Sequence, residues 1–295
     1  MPYLTVDQEN LSDIKLHYQD HGSGEILLFI HGYPFSGVAW EKQEAYFLER
    51  GYRVITYDRR GFGLSSQPST GYDWDTFALD LDKLITHLNL ENVTLIGHSM
   101  GSGEITRYLS MFTSSRINRA IYVSPIPPMV LKTKDNPQGV GPKVFEDFKA
   151  AIKKDRYAFM TAFLKNFYNI EKLTGNAHIS DEKLWADFQL ASLSSPHAFY
   201  HCVNTWTHDF REDLDSIDIP CLIIQGDQDK ILPFEITGKK LATMLQAKLK
   251  VISNGSHGIP WTHAEEICLA INEFLMSTEL KISKESTDQR SIELQ

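Results

Sequence analysis

The sequence predicts an α/β fold, a mostly parallel, doubly wound sheet interrupted once by a helical insertion. Three observations carry that prediction. Short apolar runs alternate with longer stretches of helical periodicity. The runs are continuously apolar, as in strands buried on both faces. The alternation stops once, between Pro125 and about Ile219.

The first run, Glu25-Ile26-Leu27-Leu28-Phe29-Ile30, ends at His31-Gly32. Further strands are expected at Arg53 to Tyr57, Val93 to Ile96, Ala120 to Val123, Cys221 to Ile224 and Leu249 to Ile252. Helical patterns separate them, from Val38 to Glu49 and from Asp75 to Leu88, where Phe77, Leu81, Leu84, Ile85 and Leu88 recur at spacings of three and four. Ser124-Pro125-Ile126-Pro127-Pro128 then opens the insertion, which is rich in Phe, Tyr and Trp and lacks a convincing strand. Of its aromatics Phe145, Phe148, Phe159, Phe163, Phe167, Tyr168, Trp185 and Trp206, most are expected to pack as core and a few to line a pocket. A last helix is expected from about His263 to Met276. The polar tail after it, 277–295, is expected to be mobile or to cover a neighbour.

At 295 residues the chain has room for two domains or for one with an insertion. Hydrophobic residues at 42% and charged residues at 23% describe an ordinary soluble globular protein and exclude disorder, collagen repeats and coiled coil as the main architecture. Lys and Arg number 29 against 38 Asp and Glu, so the net charge of −9 provides no basic field for nucleic acid or an anionic membrane. The cysteines Cys202, Cys221 and Cys268 are odd in number and form no Cys-x-x-Cys pair, which argues for buried free thiols over disulfides or a thiolate zinc site. The beginning of the chain has no basic segment followed by an apolar run, and no stretch approaches the roughly 18 apolar residues of a membrane span, so a cytoplasmic location is expected.

Gly97-His98-Ser99-Met100-Gly101 follows one expected strand and precedes a helical pattern, the context of a nucleophile elbow. The sharp turn lifts Ser99 out above the sheet, and strand and helix then pass so closely that side chains must be absent at the flanking positions. A serine hydroxyl needs a base to take its proton, and the base needs a third group to hold its tautomer. Gly226-Asp227-Gln228-Asp229 and Gly255-Ser256-His257-Gly258 each follow a strand, so their polar residues lie at carboxyl ends of the sheet. The chain order Ser, Asp, His matches the α/β-hydrolase arrangement. Asp229 is preferred over Asp227 because it lies further along the loop, while Asp227 beside Gly226 suits turn hydrogen bonding.

An oxyanion would find one donor in the N–H of Met100 and a second in that of Tyr33, after His31-Gly32. His31 and His98 are read as structural. The absence of a Gly-x-x-x-x-Gly-Lys run, and of a third glycine after Gly101-Ser102-Gly103, argues against a nucleotide enzyme.

These residues resemble the α/β-hydrolase superfamily and, within it, the bacterial cofactor-free haloperoxidases (non-haem chloroperoxidases, or perhydrolases) and the related arylesterases. The likeness runs from about Asp20 to Phe274. It rests on His31-Gly32-Tyr33-Pro34-Phe35-Ser36-Gly37, Asp58-Arg59-Arg60-Gly61-Phe62-Gly63-Leu64-Ser65, Gly71-Tyr72-Asp73-Trp74 and Ser99-Met100-Gly101-Ser102-Gly103-Glu104. Asp135-Asn136-Pro137 and Lys165-Asn166-Phe167-Tyr168-Asn169 look like the family's cap. The resemblance places the acid on Asp229 and implies a site without metal or cofactor that forms an acyl-enzyme. Water would resolve it to give esterase activity, and hydrogen peroxide would give a peracid that oxidises halide. Pro34 stands where a proline in relatives accompanies the peroxide outcome. His98 departs from the subfamily's usual Phe, and the tail is longer than usual.

The expected function is therefore a serine hydrolase of small carboxylic esters, with perhydrolase and haloperoxidase activity. Its catalytic residues would be Ser99, Asp229 and His257, its oxyanion donors Tyr33 and Met100, and its pocket residues Pro34, Ile126, Phe163, Phe167, Trp206 and Leu232. Expected partners are a small ester or carboxylic acid and hydrogen peroxide, with neither nucleic acid nor membrane, and with room left for a homo-oligomer. A lactonase or γ-lactamase on the same triad, or a non-catalytic ligand receptor on the scaffold, are the alternatives. Because the triad straddles the insertion, residues 1–124 and 220–276 are expected to form one core, with 125–219 as its helical cap.

Overall fold

A computed structural model describes residues 2–172 and 179–277. Its sheet is built from β1 (Tyr3–Glu9), β2 (Ser12–His21), β3 (Ile26–Ile30), β4 (Arg53–Tyr57), β5 (Val93–His98), β6 (Ile117–Val123), β7 (Cys221–Gly226) and β8 (Lys248–Ile252). The eight strands lie in the order β1-β2-β4-β3-β5-β6-β7-β8. Pairing is parallel from β4 through β8, and only the pairings β1–β2 and β2–β4 are antiparallel, so β2 alone among the described strands runs against the rest. The sheet is the doubly wound one that the apolar runs predict.

The helices are α1 (Glu41–Leu48), α2 (Trp74–His87), α3 (Met100–Phe112), α4 (Pro142–Phe167), α5 (Asp181–Ser192), α6 (Pro196–Thr205), α7 (Arg211–Leu214), α8 (Gly238–Met244), α9 (Ile259–Thr262) and α10 (Ala264–Met276). Strand periodicity divides the core between the two faces. Leu28 and Ile30 of β3 pack with Leu81, Leu84 and Ile85 of α2, while Leu27 and Phe29 pack with Phe47 of α1 and Ile271 and Phe274 of α10. The α2 stripe is anchored at its start by Asp73, whose carboxylate accepts the Thr76 N–H at 2.9 Å.

The hairpin β1–β2 is absent from the list of apolar runs because both strands lie at or near the sheet edge and alternate polar with apolar residues. Its two-residue turn, Asn10-Leu11, has φ values of 49° and 66°, and Leu11 is fully exposed. A leucine there gives no turn signal of the Asn-Gly kind. The region expected as one helix from Val38 begins as a short 3₁₀ turn, Gly37–Trp40, before α1.

Between β6 and β7 the chain leaves the sheet and forms α4 to α7, with only isolated bridges joining Met129 to Asp209 and Leu131 to Val140. Helix α4 breaks at Asp155, where the backbone becomes extended and the carboxylate caps the N–H groups of Tyr157 and Ala158, both at 3.0 Å. The aromatics of these helices form a third core with Tyr33, Phe62 and Trp74 of the sheet side, although Trp185 is exposed. The tail expected to be mobile lies, from 278 onward, outside the described residues. No helix among the described residues is long and apolar enough to cross a membrane. The three cysteines are free and buried, and burial pushes each thiol up to about 12.

Candidate active site

At the end of β5 the chain turns abruptly into α3, and Ser99 at the corner has φ 52° and ψ −113°. The flanking glycines are a matter of space. A Cβ on Gly97 would lie 2.5 Å from the Gly101 carbonyl oxygen, and one on Gly101 would lie 2.3 Å from that of Ile30. Ser102 steadies the corner by donating to the Ser99 carbonyl while its Oγ accepts the Ile126 N–H at 2.9 Å.

His257 lies in the loop between β8 and α9, and Asp229 in the loop after β7. His257 Nδ1 donates to Asp229 Oδ2 at 2.8 Å, with both side chains wholly buried. The other carboxylate oxygen accepts the N–H groups of Ile231 and Leu232 at 2.9 Å each, and Gln225 Nε2 donates to Oδ2 at 3.2 Å. The carboxylate can therefore hold the imidazole in a single orientation and tautomer. Asp227 instead accepts the Asn254 N–H at 2.8 Å and so ties the loop after β7 to the loop after β8. His257 Nε2 is buried without a hydrogen-bond partner among the described residues, so the Ser99 hydroxyl is not bonded to it in this resting geometry.

Met100 is the first residue of α3, so its N–H has no acceptor within the helix. Tyr33 lies in a tight loop closed by Phe35 N–H to Gly32 O at 3.0 Å. A buried network stands behind that loop. His31 Nε2 accepts the Arg59 N–H at 2.9 Å, which leaves Nδ1–H to donate to the Gly32 carbonyl at 2.9 Å. Arg59 Nη2 donates to the His31 carbonyl at 3.0 Å and its Nε to Glu104 at 2.7 Å, and Tyr57 OH donates to the same carboxylate. The loop that carries Tyr33 is thereby tied to the helix that begins at the elbow. Burial holds His31 and His98 well below the usual histidine range, and it raises the Glu104 carboxyl against the opposing pull of Arg59.

Above Ser99 opens a cavity of about 150 Å³. Tyr33, Ile126, Phe163, Trp206 and Leu232 line it together with Ser99. Pro34 and Phe167, expected in the pocket, are not among its walls. The Pro34 carbonyl accepts the Ser194 hydroxyl at 3.0 Å, and Phe167 turns its ring edge-on to His257 with centroids 5.0 Å apart. The walls that sequence reading missed include Val130, Val140, Phe145, Phe148, Ile231 and Pro233, with Asn166 and Lys230 at an exposed rim. Periodicity marked the helical aromatics but could not say which side of a helix would meet Ser99. The Arg59–Glu104 pair was also missed, its only signal being a glutamate on the buried face of the elbow helix. Among the described residues no group of His, Cys, Asp and Glu is arranged to hold a metal ion.

Residues 25–264 match the family model described as the alpha/beta hydrolase fold. A Synechocystis sp. protein with a provisional non-heme chloroperoxidase name is 49% identical over 276 residues, spanning 93% of this chain and 100% of that one. The bifunctional esterase/perhydrolase of Acinetobacter calcoaceticus is 32% identical, over 94% of this chain and 100% of its own. The crystal structure of a bromoperoxidase from Bacillus anthracis superimposes with a TM-score of 0.90 at 40% identity, covering 94% of this chain and 99% of that one.

Proposed function

The chain belongs to the alpha/beta hydrolase fold family, and from that premise we propose that it is a serine hydrolase of small carboxylic esters in which Ser99, His257 and Asp229 form the catalytic triad. The observation that carries the reading is the His257–Asp229 bond at 2.8 Å, which leaves Nε2 of the same ring as a free base beside the Ser99 elbow. Ser99 Oγ attacks the ester carbonyl as Nε2 takes its proton, and the alcohol leaves with that proton. The N–H groups of Tyr33 and Met100 receive the oxyanion. Water then attacks the acyl-enzyme, again giving its proton to His257, and the acid departs.

Hydrogen peroxide in the place of water yields a peracid, which oxidises bromide or chloride in solution and returns to the acid. The names of the relatives, non-heme chloroperoxidase and esterase/perhydrolase, support this second outcome. A cavity near 150 Å³ with apolar walls suits a small acyl group, since an engineered cavity of about that size admits benzene. The two sets of walls also support the division of the chain. Phe145, Phe163 and Trp206 come from 125–219, the cap, while Ser99 and Leu232 come from the core of 1–124 and 220–276.

Turnover of p-nitrophenyl acetate tests the hydrolase, and its absence would refute it. Peroxide-dependent bromination tests the perhydrolase. It should proceed in acetate buffer and nearly vanish in phosphate, because the acid is the acyl donor; equal rates in the two buffers would reject that route.

A further inference from the structure

The imidazole of His98 is wedged between the parts of the site that must stay in register. It ends β5, next in the chain to Ser99, and its Nε2 lies 3.0 Å from the carbonyl oxygen of His257, 159 residues away. A carbonyl only accepts, so this nitrogen carries the hydrogen. The other side of the ring faces the oxyanion loop, where a Cβ on Gly32 would lie 2.7 Å from His98 Nδ1. Trp40 and Phe167 meet the ring edge-to-face, and the His257 ring lies 4.9 Å from it, centroid to centroid. The residue is buried and neutral, because burial and the neighbouring His257 both disfavour its charged form.

We propose that His98 is a positioning residue, whose Nε2–H bond to the His257 carbonyl holds the base at a fixed place against the Ser99 elbow. The inference rests on the reading of His257 as the base. Asp229 controls the direction of the His257 ring through its side chain, and the Gln228 N–H bond to the Gly255 carbonyl, at 3.0 Å, fastens the loop two residues earlier. The Gly258 N–H bond to the Phe167 carbonyl, at 3.0 Å, anchors the loop to α4. The His98 bond ties the His257 backbone directly to the end of β5, next to the nucleophile. A shift of a fraction of an ångström between base and nucleophile is costly in rate, whereas substrate binding in the apolar cavity would hardly change.

The test compares wild type with His98→Phe, which keeps a planar ring without a donor, and His98→Gln, which keeps a donor. Steady-state turnover of p-nitrophenyl acetate, the rate at which a fluorophosphonate labels Ser99, and the thermal midpoint are measured for each. His98→Phe should lose about tenfold in kcat with KM within about twofold, label Ser99 more slowly by the same factor, and be largely rescued by Gln. Wild-type rates in His98→Phe would overturn the proposal, as would a His98→Gln as slow as His98→Phe at equal thermal midpoints. If the Phe variant does not fold, the near-isosteric pair His98→Gln and His98→Met makes the same comparison with the same two outcomes. A wild-type protein whose Ser99 is never labelled would overturn the catalytic reading itself, a result distinct from labelling that ignores His98.

Discussion

Asp229 and His257 meet at 2.8 Å with both side chains wholly enclosed, and the carboxylate's remaining capacity is taken up by Gln225 and by the amides of Ile231 and Leu232. An imidazole held this way presents one nitrogen to its surroundings. That arrangement underlies the first two predictions.

Ser99→Ala removes the nucleophile and should lower kcat for p-nitrophenyl acetate by about ten-thousand-fold or more. The thermal midpoint should stay near that of wild type, since the hydroxyl makes no bond that holds the elbow. Residual turnover within tenfold of wild type would contradict the triad.

Asp229→Asn preserves the volume but places an amide where Nδ1–H donates. The favoured tautomer then turns its hydrogen toward Ser99, and kcat should fall about 10³- to 10⁴-fold. Kinetics beside a circular-dichroism spectrum separate this from unfolding.

Glu104→Gln leaves the Arg59 guanidinium, 1% exposed, without its countercharge. Removing one partner of such a pair costs about 3–5 kcal/mol, whereas Arg59→Met with Glu104→Leu should cost less than the single change. Urea unfolding of the single and double variants decides it, and a double variant worse than the single would count against the argument.

Stability should fall as pH drops below about 6.5, the ordinary histidine value. His31 and His98 have folded-state values well below it, so the unfolded chain takes up protons that the folded chain refuses. Their contribution is fully present above about 6.5 and is lost downward toward the depressed values. The raised Glu104 carboxyl acts with the opposite sign, so the informative quantity is a difference. Between pH 7 and 5.5, His98→Phe should show a stability slope shallower than wild type by up to about one proton. Equal slopes in urea titrations would show that His98 does not titrate on unfolding.

Trp206→Ala opens the cavity wall and should shift selectivity toward longer acyl chains. One added methylene that finds room is worth about 1–3 kcal/mol, so the ratio of kcat/KM for an ester one methylene longer than the best wild-type substrate, over that substrate, should rise about tenfold or more. A chain-length series of p-nitrophenyl esters measures it.

The elbow at Ser99, the strands beneath it and the strand-end positions of Asp229 and His257 were all legible in the chain. Each depends on local chemistry: glycines where no Cβ fits, apolar runs that must be buried on both faces, polar residues just past a strand. Position along the loop also favoured Asp229 over Asp227, and it is Asp229 that meets His257, although the Asp227 carboxylate reaches Asn254 in the next loop where local turn bonding was expected. Which aromatics would face Ser99 was not legible, and Phe167 and Pro34 were expected in the cavity although neither lines it. Nor could any periodicity announce that His98 would reach the His257 carbonyl or that Arg59 would find Glu104. Those contacts join residues far apart in sequence, and packing of the helices over the sheet determines them. Local sterics thus specify where the reacting groups stand, while long-range packing sets the shape of the cavity and the supports behind them.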